Sequence, residues 1–477
     1  SALGREADSA SLRPSEGASA MSPQPETNPL EQSRELLDIE RHGERRQSLC
    51  RRVLATLGPG LMVCFADTDG SCLLTAADSG SKYSYKLLLL QIILVPTLYF
   101  AQELAVRLAL IRGKGVTALI RQESGPTIAW VVAVPLLLDC GLALISEISV
   151  FGQTIQACWG VQLWITNTLF TLFLVALAVS GSYNVAEKVG LTMGILQVFF
   201  FATMFMNHPS GQDIWSDLWK FPVQDGGFLK LVTANIGAVI MPWMLAYQQS
   251  ALCEKGLTSH GNGAEHLFLE RIDTALGSFL TQGVMSAMLI TVAASPKFTD
   301  MDIDSVDQLL VIFADTMGSE LAAKVALTFA ICGACMVAAI VVTLCGAWAL
   351  EEALGMSAEL PTGGGSAVGG FIGRVVANLK RRRAFFSAYA ATCVVAWLIT
   401  VATPDLANDL TGVWTQFING LLMPPIVFAM WYLAAYKMPE EHRLGPCYKW
   451  FLFGVFFVCS AFCIVSIPYA VEDAFGS

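Results

Sequence analysis

The amino-acid sequence predicts an all-α polytopic membrane protein of about eleven transmembrane helices, in two blocks of five plus one, with helices 1 and 6 broken near their middles. Three observations predict it. Of the 477 residues, 54% are hydrophobic and only 14% are charged, against about 25% charged in an average soluble domain. Apolar runs of spanning length, roughly 20 residues each, follow one another with short polar connections. Two of those runs carry helix breakers near the middle, and the first also carries acids.

The elements follow in order. Residues 1–50 are polar, rich in Ser, Glu and Arg, and without sustained periodicity. The stretch ahead of Met21 reads as an artificial leader and is set aside from fold reasoning. No secretory signal is expected, because the first apolar run starts late and is long enough to span. Spans are expected near 53–79, 83–111, 127–157, 162–181, 184–207, 228–254, 267–295, 320–350, 384–403, 408–435 and 449–470. This divides the chain into a polar tail (1–50), a membrane domain (51–471) and a short tail (472–477). Within the domain, one repeat covers about 51–207, a second about 228–435, and an extra helix about 449–470.

Charge sets the orientation. With a cytoplasmic N-terminus, the outer segments hold only Lys82, Lys86, Lys220, Lys230, Lys297 and Lys324, six of the 29 Lys and Arg. Cytoplasmic loops carry the excess of basic residues, so the N-terminus is expected inside and, with eleven spans, the C-terminus outside. The expected location is the plasma membrane. The net charge of −10 argues against nucleic acid, which wants a basic face.

Several motifs have plainer readings than their chemistry suggests. The thirteen cysteines sit mostly in apolar runs, where a free thiol behaves as a small hydrophobe. Cys332-Gly-Ala-Cys335 has a redox spacing inside a long apolar helix, and packing is the stronger reading. The outer loop with Asp300, Asp302, Asp304, Asp307, Asp315 and Glu320 resembles the opening of a calcium loop. Ser305 stands where that loop needs Gly, and Val311 where it needs Glu, so a solvated loop is expected. The glycine stretch from Gly363 to Gly373 lacks the Lys-Ser/Thr of a phosphate loop and reads as a linker. The five histidines (His42, His208, His260, His266, His442) are expected in loops or the tail.

Chemistry concentrates in two spans. Span 1 runs from Gly58-Pro59-Gly60 to Asp67-Thr68-Asp69-Gly70-Ser71-Cys72, and span 6 holds Gly237-Ala238-Val239-Ile240-Met241-Pro242-Trp243. A charge at the bilayer centre costs at least about 2.5–3.5 kcal/mol, so it faces a cavity or a partner. Irregular backbone at that depth is tolerated where it lines a cavity, and its free carbonyls can bind a cation. Broken helices in corresponding positions of two halves mark an inverted-repeat transporter with a midplane site.

These residues resemble the Nramp family of divalent metal transporters, which has DPGN in span 1 and MPH in span 6. Counting from Gly58-Pro59 places the DPGN aspartate at Asp69, followed by Gly70, Ser71 and Cys72. In span 2, Gln102, Leu104, Arg107, Leu108, Gly113 and Lys114 keep the family spacing. In span 6, Ile236-Gly237-Ala238-x-x-Met241-Pro242 matches without a gap. The resemblance implies a LeuT-like fold working by alternating access. It places the metal between the Asp69 carboxylate, the Ala238 carbonyl and the Met241 thioether. The family's asparagine ligand is Cys72 here, Asp67 is an additional acid, and Thr68 and Gln416 offer neutral oxygens. No catalytic residues and no cofactor are expected, only a transported ion and the lipid bilayer.

The departures shape the functional expectation. The first span 6 histidine is Trp243, and the second falls at Gln248 or Gln249. The two span 3 acids become Ser146 and Ser149 when aligned on Gly152, with Glu147 between them. On a helix Glu147 points about 100° from each neighbour and is expected off that face. This pattern resembles the Nramp-related magnesium transporters, which implies Mg²⁺, with Mn²⁺ next, moved without proton coupling. Mg²⁺ prefers oxygen ligands and keeps water, so a partly hydrated ion would reconcile it with Met241 and Cys72, which are soft donors. The alternatives are a proton-coupled Mn²⁺/Fe²⁺ symporter, an amino-acid symporter or a cation channel. Acids at the break argue against an amino-acid symporter, and no filter-like repeat supports a channel.

Overall fold

Helices make up nearly all of the computed structural model, which describes residues 58–179, 183–256, 263–356 and 382–475, with no strand among them. The 1–50 tail, the glycine stretch and Lys380-Arg381 lie outside the described residues. Span 1 is split into α1 (Pro59–Ala66) and α2 (Gly70–Tyr83), and span 2 is α3 (Leu88–Arg112). A short α4 (Val116–Ser124) leads to span 3, α5 (Pro126–Trp159), and span 4, α6 (Leu163–Val179). Span 5 comprises α7 (Tyr183–Gly194) and α8 (Phe199–Met206), followed by a short α9 (Gly211–Asp217). Span 6 is split into α10 (Gly226–Gly237) and α11 (Pro242–Glu254). Span 7 is α12 (Gly263–Ala293), α13 (Val306–Met317) lies in the next connection, and span 8 is α14 (Glu320–Ala353). Spans 9 and 10 are α15 (Arg383–Ala402) and α17 (Val413–Tyr432), separated by α16 (Pro404–Asp409). Span 11 is α18 (Pro446–Val465), continued by α19 (Ile467–Phe475).

Nine of these spans are long and apolar enough to cross a membrane on length and composition alone. The split first helix and the 17-residue α6 complete the eleven. Large apolar side chains such as Ile92, Leu138, Leu172, Phe279, Leu398 and Phe457 stand exposed on the outer faces of the spans. That is the arrangement a lipid environment stabilises and water does not.

The breaks have local causes. Asp69 adopts an extended conformation and caps α2, its side chain accepting from the Cys72 N–H. Such a cap contributes about 1 kcal/mol. In span 6, Met241 is extended and Pro242 opens α11 at its first turn. Proline disfavours helix in the residue before it and suits the first helical position. Spans 3 and 8, each 34 residues long, lie side by side through the interior.

Three sequence expectations are corrected. The acidic outer segment is not merely a solvated loop. It contains α13, opened by a capping box in which Ser305 and Gln308 satisfy each other's backbone. The segment also folds onto span 1: Asp302 pairs with Lys82, and Asp78 accepts from the Ile303 N–H at 3.0 Å. His266 lies in the first turn of α12 rather than in a loop, the chain having already entered span 7 there. The helix α19 also extends beyond the expected end of the extra helix, through Phe475. The described cysteines are all free.

Candidate metal site at the two helix breaks

The two breaks meet inside the bundle. The Cys72 thiol, in the first turn of α2, donates to the Ala238 carbonyl at the end of α10 with Sγ···O of 3.4 Å. Asp69 Oδ1 accepts from the Cys72 N–H at 2.7 Å, the Ser71 hydroxyl at 3.0 Å and Gln416 Nε2 at 3.3 Å. Gln416 also donates to Ser71 Oγ at 2.8 Å. Span 10 therefore closes over the first break. Met241 heads α11 at the second break and is fully buried. Asp67, Asp69, Cys72, Ala238, Met241 and Gln416 are each exposed by no more than 1%, so the site is occluded.

Three carboxylate oxygens here have no hydrogen-bond partner: Asp67 Oδ1, Asp67 Oδ2 and Asp69 Oδ2. Thr68 faces elsewhere. Its hydroxyl contacts Gln197 Oε1 of span 5, and Gln197 Nε2 donates to the Phe65 carbonyl at 2.7 Å. Among the described residues no three His, Cys, Asp or Glu side chains form a preformed metal cluster. An ion at the breaks would draw on carbonyl and amide oxygens as well as the two acids.

The departures from the family pattern lie at several depths. Trp243 is buried beside the break, and its backbone N–H donates to Asp139 Oδ2 at 2.9 Å. Gln248 reaches Thr274 of span 7 at 3.4 Å, whereas Gln249 donates to the Lys114 carbonyl at 2.8 Å. The two glutamines thus diverge from the site. Ser149 donates to Asn408 at 2.9 Å, and the Ser146 hydroxyl is buried without a partner.

Glu147 reaches the first break from a helix face other than that of Ser149, which meets Asn408. Its Oε2 accepts from the Gly70 N–H at 3.3 Å, and Oε1 has no partner. The reason is the closeness of α2 to spans 3 and 8. A Cβ on Gly70 would lie 2.6 Å from Val150 Cγ1 and 2.9 Å from Cys335 Sγ, so only glycine lets the helices approach this far.

Three site neighbours escape the sequence reading: Asp139, Gln197 and Asn419. Asp139 had a signal. An acid in the run Leu136-Leu137-Leu138-Asp139-Cys140 is itself a candidate functional residue in a membrane span. Gln197 and Asn419 are uncharged, and nothing in their local sequence announces them.

Comparison with known proteins decides the family. The sequence model for natural resistance-associated macrophage protein-like proteins, Nramp, matches residues 60–468. The chain belongs to the Nramp family. Among relatives, the Arabidopsis thaliana metal transporter Nramp6 is 26% identical over 202 residues, covering 41% of this chain and 38% of that protein. The divalent metal cation transporter MntH of Ralstonia nicotianae is 26% identical over 255 residues, covering 52% of this chain and 57% of that protein. The chain thus matches roughly half the length of these Nramp relatives or less. An Eremococcus coleocola manganese transporter aligns with a TM-score of 0.70 at 17% identity, over 91% of this chain and 90% of that one. MhsT in complex with L-phenylalanine aligns at 0.56 and 10% identity, over 86% and 98%. The Nramp chain therefore has the expected LeuT-like inverted-repeat fold with broken helices 1 and 6.

Proposed function

We propose that this Nramp chain carries divalent metal ions, Mg²⁺ or Mn²⁺, across a membrane by alternating access and without proton coupling. The observation that carries the reading is the set of partnerless carboxylate oxygens on Asp67 and Asp69 at the first break. Buried charge without a partner is costly, and a cation seated between the breaks would offset that cost. The Nramp6, MntH and Eremococcus coleocola proteins compared above agree, being described as metal, divalent metal cation and manganese transporters.

In this reading Asp69 is the principal ligand, joined by the Ala238 carbonyl and Gln416. Asp67 lies in the surrounding shell, Thr68 is turned toward Gln197, and Met241 and Cys72 close the sides. Asp67, Asp69, the Ala238 carbonyl and Gln416 supply oxygen donors, whereas Met241 and Cys72 offer only sulfur. That favours a hard ion keeping some of its water. Trp243, Gln248 and Gln249 replace groups that would titrate near neutral pH, which supports movement driven by gradient and potential alone. The chain would sit in the plasma membrane with its N-terminus cytoplasmic. A second reading, proton-coupled Mn²⁺/Fe²⁺ symport, is favoured by one observation: Glu147 touches the α2 terminus beside Asp69.

Metal uptake into proteoliposomes tests the function directly. The wild-type chain should carry Mg²⁺ or Mn²⁺ down a gradient, and Asp69→Ala should lose the activity while remaining monodisperse. Uptake by Asp69→Ala at the wild-type rate would remove Asp69 from the site.

A further inference from the structure

We infer that Asp139, in the middle of span 3, is a positioning residue: it clasps the amino end of half-helix α11 beside the polar groups that hold Asp69. The inference rests on the metal-transport reading for its functional consequence and on geometry for its basis.

The amino end of α11 cannot cap itself. Its cap residue is Met241, whose side chain makes no capping hydrogen bond, and its first residue is Pro242. The first turn of a helix presents backbone N–H groups with no partner of their own and the positive end of the helix dipole. Deep in a membrane, leaving such groups unmet is costly. Asp139 meets the first of them from another helix, with Oδ2 accepting from the Trp243 N–H at 2.9 Å. A carboxylate at a helix amino end is favourable on charge as well as on hydrogen bonding.

The other oxygen of Asp139 faces span 10. The side-chain amide of Asn419 lies between Asp139 and Gln416, and its nitrogen donates to Gln416 Oε1 at 2.9 Å or, with the amide turned over, to Asp139 Oδ1 at 2.7 Å. Gln416 in turn holds Asp69 and Ser71. Asp139, Asn419, Gln416 and Asp69 therefore lie next to one another as a buried polar cluster between spans 3 and 10 and the two helix breaks. All four are exposed by 1% or less, so water does not substitute for any of them. Glu147 makes the corresponding contact at the other half-helix, accepting from the Gly70 N–H in the first turn of α2. Span 3 thus grips both amino-terminal half-helix ends, about two turns apart along its own axis.

Such a clasp governs how α11 moves between conformations. Loss of the clasp should slow turnover and leave ion affinity nearly unchanged, because Asp139 touches no ion-facing atom. Asn retains an acceptor for the Trp243 N–H, and Asn419 can turn its amide to meet it. The experiment compares wild type, Asp139→Ala, Asp139→Ser and Asp139→Asn for Mn²⁺ and Mg²⁺ uptake, together with hydrogen exchange of the peptide covering 239–247.

Asp139→Ala should lower the maximal rate at least about tenfold with KM within about twofold, and exchange in that peptide should accelerate about tenfold. Asp139→Asn should keep at least half the rate and wild-type exchange. Asp139→Ser, whose hydroxyl is too short to reach Trp243, should behave like Asp139→Ala and serves if that variant does not purify. A rate equal to wild type in Asp139→Ala or Asp139→Ser would overturn the clasp. So would an Asp139→Asn variant as impaired as the alanine variant, or a KM increase that accounts for the whole loss, since either result makes Asp139 a charge that the ion senses. If the wild-type chain carries no divalent ion, the transport reading fails, and hydrogen exchange alone decides the clasp.

Discussion

Gly237→Ala is the substitution whose effect the geometry fixes best. Gly237 ends α10 immediately before the Ala238 carbonyl, against span 10. A Cβ there would lie 1.9 Å from the Gln416 carbonyl oxygen, 2.6 Å from the Gly420 nitrogen and 3.0 Å from the Gln416 carbonyl carbon. All three are backbone atoms and cannot rotate aside. A close C···O contact is about 3.3 Å, so α10 and α17 must separate by roughly 1.4 Å. Overpacking of this kind costs typically about 1–3 kcal/mol. The functional cost should exceed the structural one. The Gln416–Asp69 hydrogen bond is 3.3 Å long, and a further ångström breaks it. Losing a hydrogen bond to a charged group costs about 1.5–3 kcal/mol, or roughly 10- to 100-fold in affinity. The assay pairs thermal unfolding with metal uptake. Gly454→Ala is the control, since a Cβ there meets nothing within 4 Å, and alanine in a helix interior is favourable. Gly237→Ala should unfold a few degrees lower and raise the KM for metal at least tenfold, while Gly454→Ala matches or exceeds wild type. Equal stability and equal KM in Gly237→Ala would refute the close contact between α10 and span 10.

Other outcomes follow from the same arrangement. Met241→Ala should slow Mg²⁺ uptake far less than Asp69→Ala, and equal losses in uptake assays would show direct coordination by the thioether. With a pH-sensitive dye trapped in the proteoliposomes at fixed membrane potential, metal entry should leave the lumen pH unchanged. Acidification that tracks metal entry and disappears in Glu147→Gln or Asp67→Asn would establish proton symport instead. At the membrane edge, the Arg112 guanidinium beside Glu123 holds that carboxyl below its usual range, with Lys437 adding to the effect. A depressed carboxylate contributes stability above its ordinary pKa and loses it as pH falls through the lowered value. Glu123→Gln should therefore be less stable than wild type at pH 7, by about 0.5 kcal/mol for such a pair, and the gap should shrink in thermal unfolding as the pH falls below the ordinary glutamate range and through the lowered value.

What the sequence could reveal here follows from where each signal resides. The spans and both breaks were legible because acids and proline inside apolar runs are costly wherever they fall, so their positions alone carry meaning. The capping box at Ser305 and Gln308 was legible in principle, since a Ser followed three residues later by Gln marks a helix start. The surrounding aspartates drew the reading toward a solvated loop instead. Asn419 and Gln197 were not legible, because an uncharged amide acquires its role only from the neighbour it meets. Asp139 shows the limit of reading by family alignment: the family's acids directed attention to positions 146 and 149, and the more informative residue lay about two to three turns earlier on the same helix. Glu147 makes the physical point most sharply. A helical wheel gives the direction of a side chain relative to its own helix, but says nothing of how near the next helix passes. That nearness was set by Gly70, where the missing Cβ brings α2 against span 3 and hands its N–H to Glu147. The question of proton coupling therefore turns on a glycine in one span as much as on a glutamate in another.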